Sequence, residues 1–194
     1  GEVCINDIFN GARLIEVPFY QRAYVWKEEQ WERFLTDMEY VSDTQRHYFL
    51  GSIILKNGET PNMTDAFSSR KIIIDGQQRL TTAMLLTEAL SRHLGEDEVF
   101  DGFSAMKLRN YYLLNPYESG EKGFKLLLTE TDKDSLLALI KQRPMPENYS
   151  HRIMENFTFF DEQIAKLGDD LIPLCRGLAK LLIVDVALNR GQDN

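Results

Sequence analysis

The chain has 194 residues, 43% of them hydrophobic, 27% charged and 11% aromatic, with a formal net charge of −8. That length supports one sizeable core, or a core with a smaller appended layer, and the composition is not that of a disordered chain. The acidic balance argues against stand-alone DNA binding, which draws its phosphate contacts from surplus Lys and Arg, but it leaves room for a local basic pocket. No apolar run reaches the roughly 20 residues that span a bilayer. The opening "GEVCINDIFNGARLIEVPFY" lacks the basic-then-apolar order of a signal peptide. A cytoplasmic protein without membrane contact is therefore expected. Cys4 and Cys175 stand far apart with no histidine cluster beside them. They predict buried or incidental thiols rather than a disulfide framework or a zinc site.

In chain order, "ARLIEVPFY" reads as extended, because Pro18 biases Val17 away from helix. "KEEQWERFLTDMEYV" predicts an amphipathic helix, with Trp31, Phe34, Leu35, Met38 and Val41 on one face and Glu28 and Glu29 at its positive end. "HYFLGSIILK" predicts a buried strand interrupted at Gly51-Ser52, and "NGETPNMTDAFSSR" a polar loop. "KIIID" predicts a second buried strand. "RLTTAMLLTEALSRHL" follows as a helix with Leu80, Ala83, Met84, Thr87, Leu90 and Leu94 on one side.

The second part reads as more helical. "AMKLRNYYLL" predicts a helix and "FKLLL" a short strand. Thr131 or Asp132 is expected to cap the helix "KDSLLALIKQ", and "RPMPENY" breaks the chain. "SHRIMENFTFFDEQIAKL" and "LIPLCRGLAK" predict two more helices. In the first of these, Phe157 and Phe160 share a face with Ile153 and Ile164. "LLIVDVAL" is apolar but for Asp185 and predicts a strand covered on both faces, rejoining the first sheet. "NRGQDN" closes the chain so soon after this strand that a longer parent protein is expected. Asn189, Arg190 and Asp193 there form either a further site loop or a plain turn.

The chemistry concentrates at "KIIIDGQQRLTTAMLL", residues 71–86. N–H groups at a helix start lack internal partners and carry partial positive charge. A glycine before them admits close approach of an anion. Arg79 is repelled by that end unless an anion is bound there, and guanidinium pairs bidentately with phosphate. Gln77 and Gln78 can donate to phosphate oxygens or orient a water. Thr81 and Thr82 add hydroxyls, and Asp75 is the candidate ligand for Mg²⁺. Spacing alone leaves a plain tight turn equally open, with Asp75 capping the helix and Arg79 paired to a carboxylate. The stretch is neither a Walker loop nor a Rossmann fingerprint. In "PFYQRAYVW", alternation would put Tyr20, Arg22 and Tyr24 on one surface, for stacking and a phosphate contact, while Trp26 belongs to the core. Gln21 and Arg22 echo the chemistry of "GQQR". His47, His93 and His151 lie apart, without ligand spacing.

"VPFYQRAYVW", "YFLGSIIL" and "IIDGQQRLTTAMLL" occur in the order and approximate spacing of a large bacterial family carrying the DGQQR motif. The chain thus resembles the N-terminal domain of GmrSD-type modification-dependent restriction enzymes, over nearly its whole length, with "LLIVDVALNRGQDN" as the later strand and loop. The resemblance implies an α+β fold of the ParB/sulfiredoxin kind. A small mixed sheet with helices would form a core over 1–95, followed by a mainly helical part over 96–180 and a returning strand over 181–194. The family continues past that point into a nuclease or other domain.

It also implies a Mg²⁺-dependent domain that binds and hydrolyses a nucleoside triphosphate and regulates a restriction or phage-defence nuclease. Asp75, Gln77, Gln78 and Arg79 would be catalytic, with Asp75 on the metal. Tyr20, Gln21, Arg22, Gly76, Gln77, Gln78, Arg79 and Thr81 would grip the nucleotide and its phosphates. DNA would be met through other domains, and a homo-oligomer stays open. The alternatives are a ParB-like DNA-nicking domain and a non-catalytic sensor or interaction module.

Overall fold

The computed structural model describes residues 2–4, 14–42, 48–58, 70–100 and 103–188; for 2–4, 41–42, 48–52, 57 and 181–188 it describes the backbone path alone. The fold is α+β, as expected. Six strands, β1 (Glu2–Cys4), β2 (Leu14–Glu16), β3 (Tyr48–Asn57), β4 (Arg70–Asp75), β5 (Leu126–Leu127) and β6 (Leu181–Leu188), form one sheet in the order β1-β6-β3-β4-β2-β5. The sheet is mixed: β6–β3, β4–β2 and β2–β5 are parallel, whereas β1–β6 and β3–β4 are antiparallel. β6 rejoins the sheet as expected, between β1 and β3, while its side chains, and so the expected cover on both faces, lie outside the described residues. Gly51 does not break β3. The strand instead shifts register against β6 between Phe49 and Gly51, a bulge of the kind glycine permits.

Six α-helices accompany the sheet among the described residues: α1 (Glu28–Ser42), α2 (Gln77–His93), α3 (Ala105–Tyr112), α4 (Glu130–Ile140), α5 (His151–Leu167) and α6 (Ile172–Ala179). α1 carries the expected stripe, with Trp31, Phe34, Leu35 and Met38 all buried. α5 buries Ile153, Phe157, Phe160 and Ile164 on one face, and Ser150 caps its start by accepting from the Ile153 N–H at 3.3 Å.

α2 differs from the one-sided helix predicted. All residues from Leu80 to Ser91 are buried, because α3, α5 and β3 surround it. Its polar residues survive there by internal pairing. Thr81, Thr82 and Thr87 hydroxyls donate to carbonyls one turn back, at 2.7, 2.8 and 2.7 Å. Glu88 is fully buried between two arginines, Arg92 at 3.1 Å and Arg109 of α3 at 2.7 Å. Burial pushes the Glu88 carboxyl up, and the two guanidinium groups pull it back down. The same arginines bond the Leu139 and Ile140 carbonyls at the end of α4, so one buried hub joins three helices.

α4 starts earlier than predicted. Its N-cap is Thr129, without a side-chain cap bond. Asp132 is not a cap because its carboxylate is taken by the Tyr24 N–H at 2.7 Å. Trp26 packs on the core, as expected. Cys175 is a buried free thiol. His47, the middle of the 57–70 loop and the 189–194 segment lie outside the described residues.

Candidate functional site

The site forms where β4 runs into α2. Gly76 sits between them at φ 100°, a left-handed conformation that a side chain resists. Its N–H is held by the Asp75 Oδ1 at 2.9 Å. Asp75 therefore bonds the turn rather than capping the helix, whose start has no side-chain cap bond and no acidic residue in its first turn. The helix starts at Gln77, two residues earlier than the sequence predicts. Gln77, Gln78 and Arg79 thus belong to the turn whose N–H groups lack intrahelical partners.

Residues 21–25 lie across this helix start and are pinned to it. Gln21 donates its amide to the Ile74 carbonyl at 3.0 Å. The Ala23 carbonyl accepts from the Gln78 amide at 3.1 Å, and the Val25 N–H donates to the Gln78 Oε1 at 2.8 Å. Gln78, 8% exposed, thus mimics a neighbouring strand, and both ends of its amide are spent on backbone. The Tyr24 N–H goes to Asp132. The Tyr24 hydroxyl lies 2.6 Å from the Thr82 Oγ1, which already donates to the Gln78 carbonyl, so Tyr24 is the donor in that pair. Trp31 and Asn156 donate to the Tyr24 oxygen at 3.0 and 3.3 Å. Burial pushes the Tyr24 hydroxyl well above its usual range, which keeps it protonated in this chain.

The expected alternation of Tyr20, Arg22 and Tyr24 does not occur. Residues 18–21 form a turn, closed by the Gln21 N–H to the Pro18 carbonyl at 3.0 Å. Tyr24 points into the core, whereas Tyr20 stays exposed beside Phe19. Arg22 is the one residue of 21–25 that nothing described holds. It lines a narrow cleft with Tyr24, Gln77, Gln78, Thr81 and Asp132. Arg79, half-buried in the first turn of α2, has no hydrogen-bond or ion-pair partner among the described residues either.

The family model described as GmrSD restriction endonuclease, N-terminal domain, matches residues 5–194. The chain belongs to this family. No curated protein matches it. Membership places this GmrSD N-terminal domain among restriction, and so phage-defence, proteins.

The two glutamines of this GmrSD domain have different surroundings. The Gln21 nitrogen must face the Ile74 carbonyl, so its oxygen accepts, and it takes the Gln77 Nε2 at 3.2 Å. That leaves the Gln77 Oε1 as an oriented acceptor without a described partner, on the same cleft as Arg22 and Thr81. Thr81 spends its hydrogen on the Gln77 carbonyl and keeps a lone pair. Asp75, Gly76, Arg79 and Tyr20 are not on that cleft's lining; Tyr20 borders an adjacent depression. Among the described residues no group of three or more His, Cys, Asp or Glu side chains could hold a metal ion. Asp75 is exposed, with one of its two oxygens engaged. No described helix is long and apolar enough to cross a membrane. Sequence reasoning missed Trp31 and Asn156 as supports of the Tyr24 hydroxyl, and Asp132 as the acceptor of the Tyr24 N–H, because each is distant in the chain from residues 75–82.

Proposed function

We propose that this domain binds a nucleoside triphosphate with Mg²⁺ and hydrolyses it to regulate a restriction nuclease. The observation that carries the reading is the pairing of a rigid backbone with unpaired cations. Five separate hydrogen bonds fix residues 21–25 around Arg22. Among the described residues Arg22 and Arg79 have no anionic partner, and they stand beside a helix start with no side-chain cap bond and no acidic residue in its first turn. A bound phosphate supplies the missing anion, and the left-handed Gly76 lets it approach the N–H groups of α2.

The roles then separate. Arg22 and Arg79 take the phosphate oxygens and the charge that develops on them in phosphoryl transfer. Gln77, oriented through Gln21 and Ile74, has the free acceptor that a hydrolytic water needs. Gln78 holds the 23–25 backbone rather than a water. Asp75 offers one carboxylate oxygen, which fits Mg²⁺ held by a single carboxylate plus phosphate oxygens and water. When bound, the ion neutralises phosphate charge.

Calorimetry of the chain with each nucleoside triphosphate and Mg²⁺, joined to a phosphate-release assay, tests this. Arg79→Ala is expected to weaken binding at least tenfold, and Gln77→Ala to slow turnover with binding little changed. Unchanged affinity in Arg79→Ala overturns the phosphate assignment. Plasmid nicking without nucleotide, lost in Asp75→Asn, would replace the reading with a DNA-cutting one.

A further inference from the structure

Beside the Arg22 cleft lies a larger depression of about 490 Å³. Its walls are the turn Pro18–Tyr20, the ends of β3 and β4 at Lys56 and Arg70, and the start of α4 at Thr129, Glu130 and Lys133. Val17, Leu128 and Thr129 line both spaces, so the two are separated by a shared wall only. Tyr20 and Arg22 are two residues apart, which puts their Cα atoms within about 7 Å of each other.

Three features of the depression point to a ligand. Phe19 and Tyr20 are 89% and 61% exposed, among the largest apolar exposures described, and their rings meet edge to face at 5.6 Å. Neither ring contributes to the core, so folding does not account for two adjacent aromatics here. Second, the volume lies within the range of small-molecule sites. Third, the cations differ in their commitments. Arg70 pairs with Glu16 and Lys133 with Glu121, whereas Lys56 has no described partner.

We infer that this depression receives the base and sugar of the nucleotide whose phosphates lie at Arg22 and the start of α2, with Phe19 and Tyr20 as the stacking surface and Lys56 reaching the sugar or first phosphate. The inference rests on the triphosphate reading above and deepens it. An aromatic face stacks on any base, because every base has a π-face, and each such contact strengthens binding without reading the base edge. Exposed rings also have a function here that burial would abolish: they stay free until a flat ligand covers them. The Pro18–Gln21 turn presents them rigidly, which lowers the ordering cost of binding.

The test compares ATP, GTP, CTP and UTP with inorganic triphosphate, all with Mg²⁺, on the wild type and on Phe19→Ala/Tyr20→Ala. The rings are exposed, so the double variant is expected to fold, and an unchanged melting curve checks that. Loss of stacking should raise Kd for the nucleotides by about 5- to 150-fold, the range for one base–aromatic contact. Inorganic triphosphate should bind both proteins equally. Tyr20→Trp on the Phe19→Ala background should restore nucleotide affinity.

Equal nucleotide affinity in wild type and double variant overturns the base subsite and leaves the phosphate site standing. Equal losses for nucleotide and inorganic triphosphate overturn it as well, since the rings would then act on the phosphates. A wild type that binds neither ligand overturns the phosphate reading itself, and this inference with it. A single-stranded oligonucleotide whose binding depends on the two rings, while nucleotide binding does not, assigns the surface to a DNA base and overturns the proposal.

Discussion

Replacing Gln78 with alanine tests its scaffold role against the catalytic role proposed for Gln77. The Gln78 amide satisfies the Ala23 carbonyl at 3.1 Å and the Val25 N–H at 2.8 Å, with 8% of the residue exposed. Truncation strands two backbone groups at a partly buried position and leaves a cavity the size of an amide. An unsatisfied buried group costs about 1–3 kcal/mol, and water reaches part of this site, so the expected loss is about 2–4 kcal/mol. For a chain of this size that lowers Tm by roughly 5–15 °C. Urea denaturation followed by circular dichroism would show a lower midpoint at unchanged slope, the mark of lost stability rather than altered compactness. Gln77→Ala is the internal control. It gives up a single side-chain bond at 3.2 Å and should cost no more than about 1 kcal/mol. A Gln78→Ala protein within about 0.5 kcal/mol of wild type, yet without turnover, would refute the division between the two glutamines.

Other outcomes follow from the same geometry. Arg22→Ala should leave stability within about 0.5 kcal/mol of wild type by urea denaturation, because no described group loses a partner, while phosphate binding falls. Gly177→Ala should destabilise by several kcal/mol, seen as a lowered Tm, since its Cβ would stand 2.5 Å from the Met38 carbonyl oxygen where α6 crosses α1. Lys125 makes stability depend on pH. Burial pushes its amine down to about 8 from an ordinary 10.5, so between those values the unfolded chain holds the extra proton, and stability rises with pH. From pH 8 to 9 the gain should be on the order of 1 kcal/mol in urea titrations, and Lys125→Met should flatten it. Above about pH 9 the Cys175 thiol, pushed up to about 12 by burial, works in the opposite direction.

How much was legible in the sequence varied with the range of the interaction. Local periodicity placed α1, α5 and the strand–glycine–helix element at 70–93, because those patterns arise within a few residues. The motif order also carried the family. α2 was misread as one-sided because the polar residues of its other face are satisfied inside the protein: the Thr81 and Thr82 hydroxyls by the preceding turn, and the Glu88 carboxylate by Arg92 and Arg109. Nothing local announces that. The cap of α4 was misplaced for a related reason: Asp132 has the right chemistry for a cap, but a backbone N–H 108 residues away claims it.

The sequence by itself determined that an arginine and two glutamines stand at a helix start after a glycine, and it offered Gln21 and Arg22 as their companions. Only the tertiary structure decided how those residues divide their work. Gln77 and Gln78 are chemically identical neighbours, and helical geometry turns them in different directions, one towards Gln21 and a cleft, the other onto the 23–25 backbone. It also decided that Tyr20 and Tyr24 part company, since a turn at Pro18 cancels strand alternation and sends one ring to solvent and the other to the core. Composition cannot encode such choices, because each depends on which carbonyl or N–H a distant segment leaves unpaired.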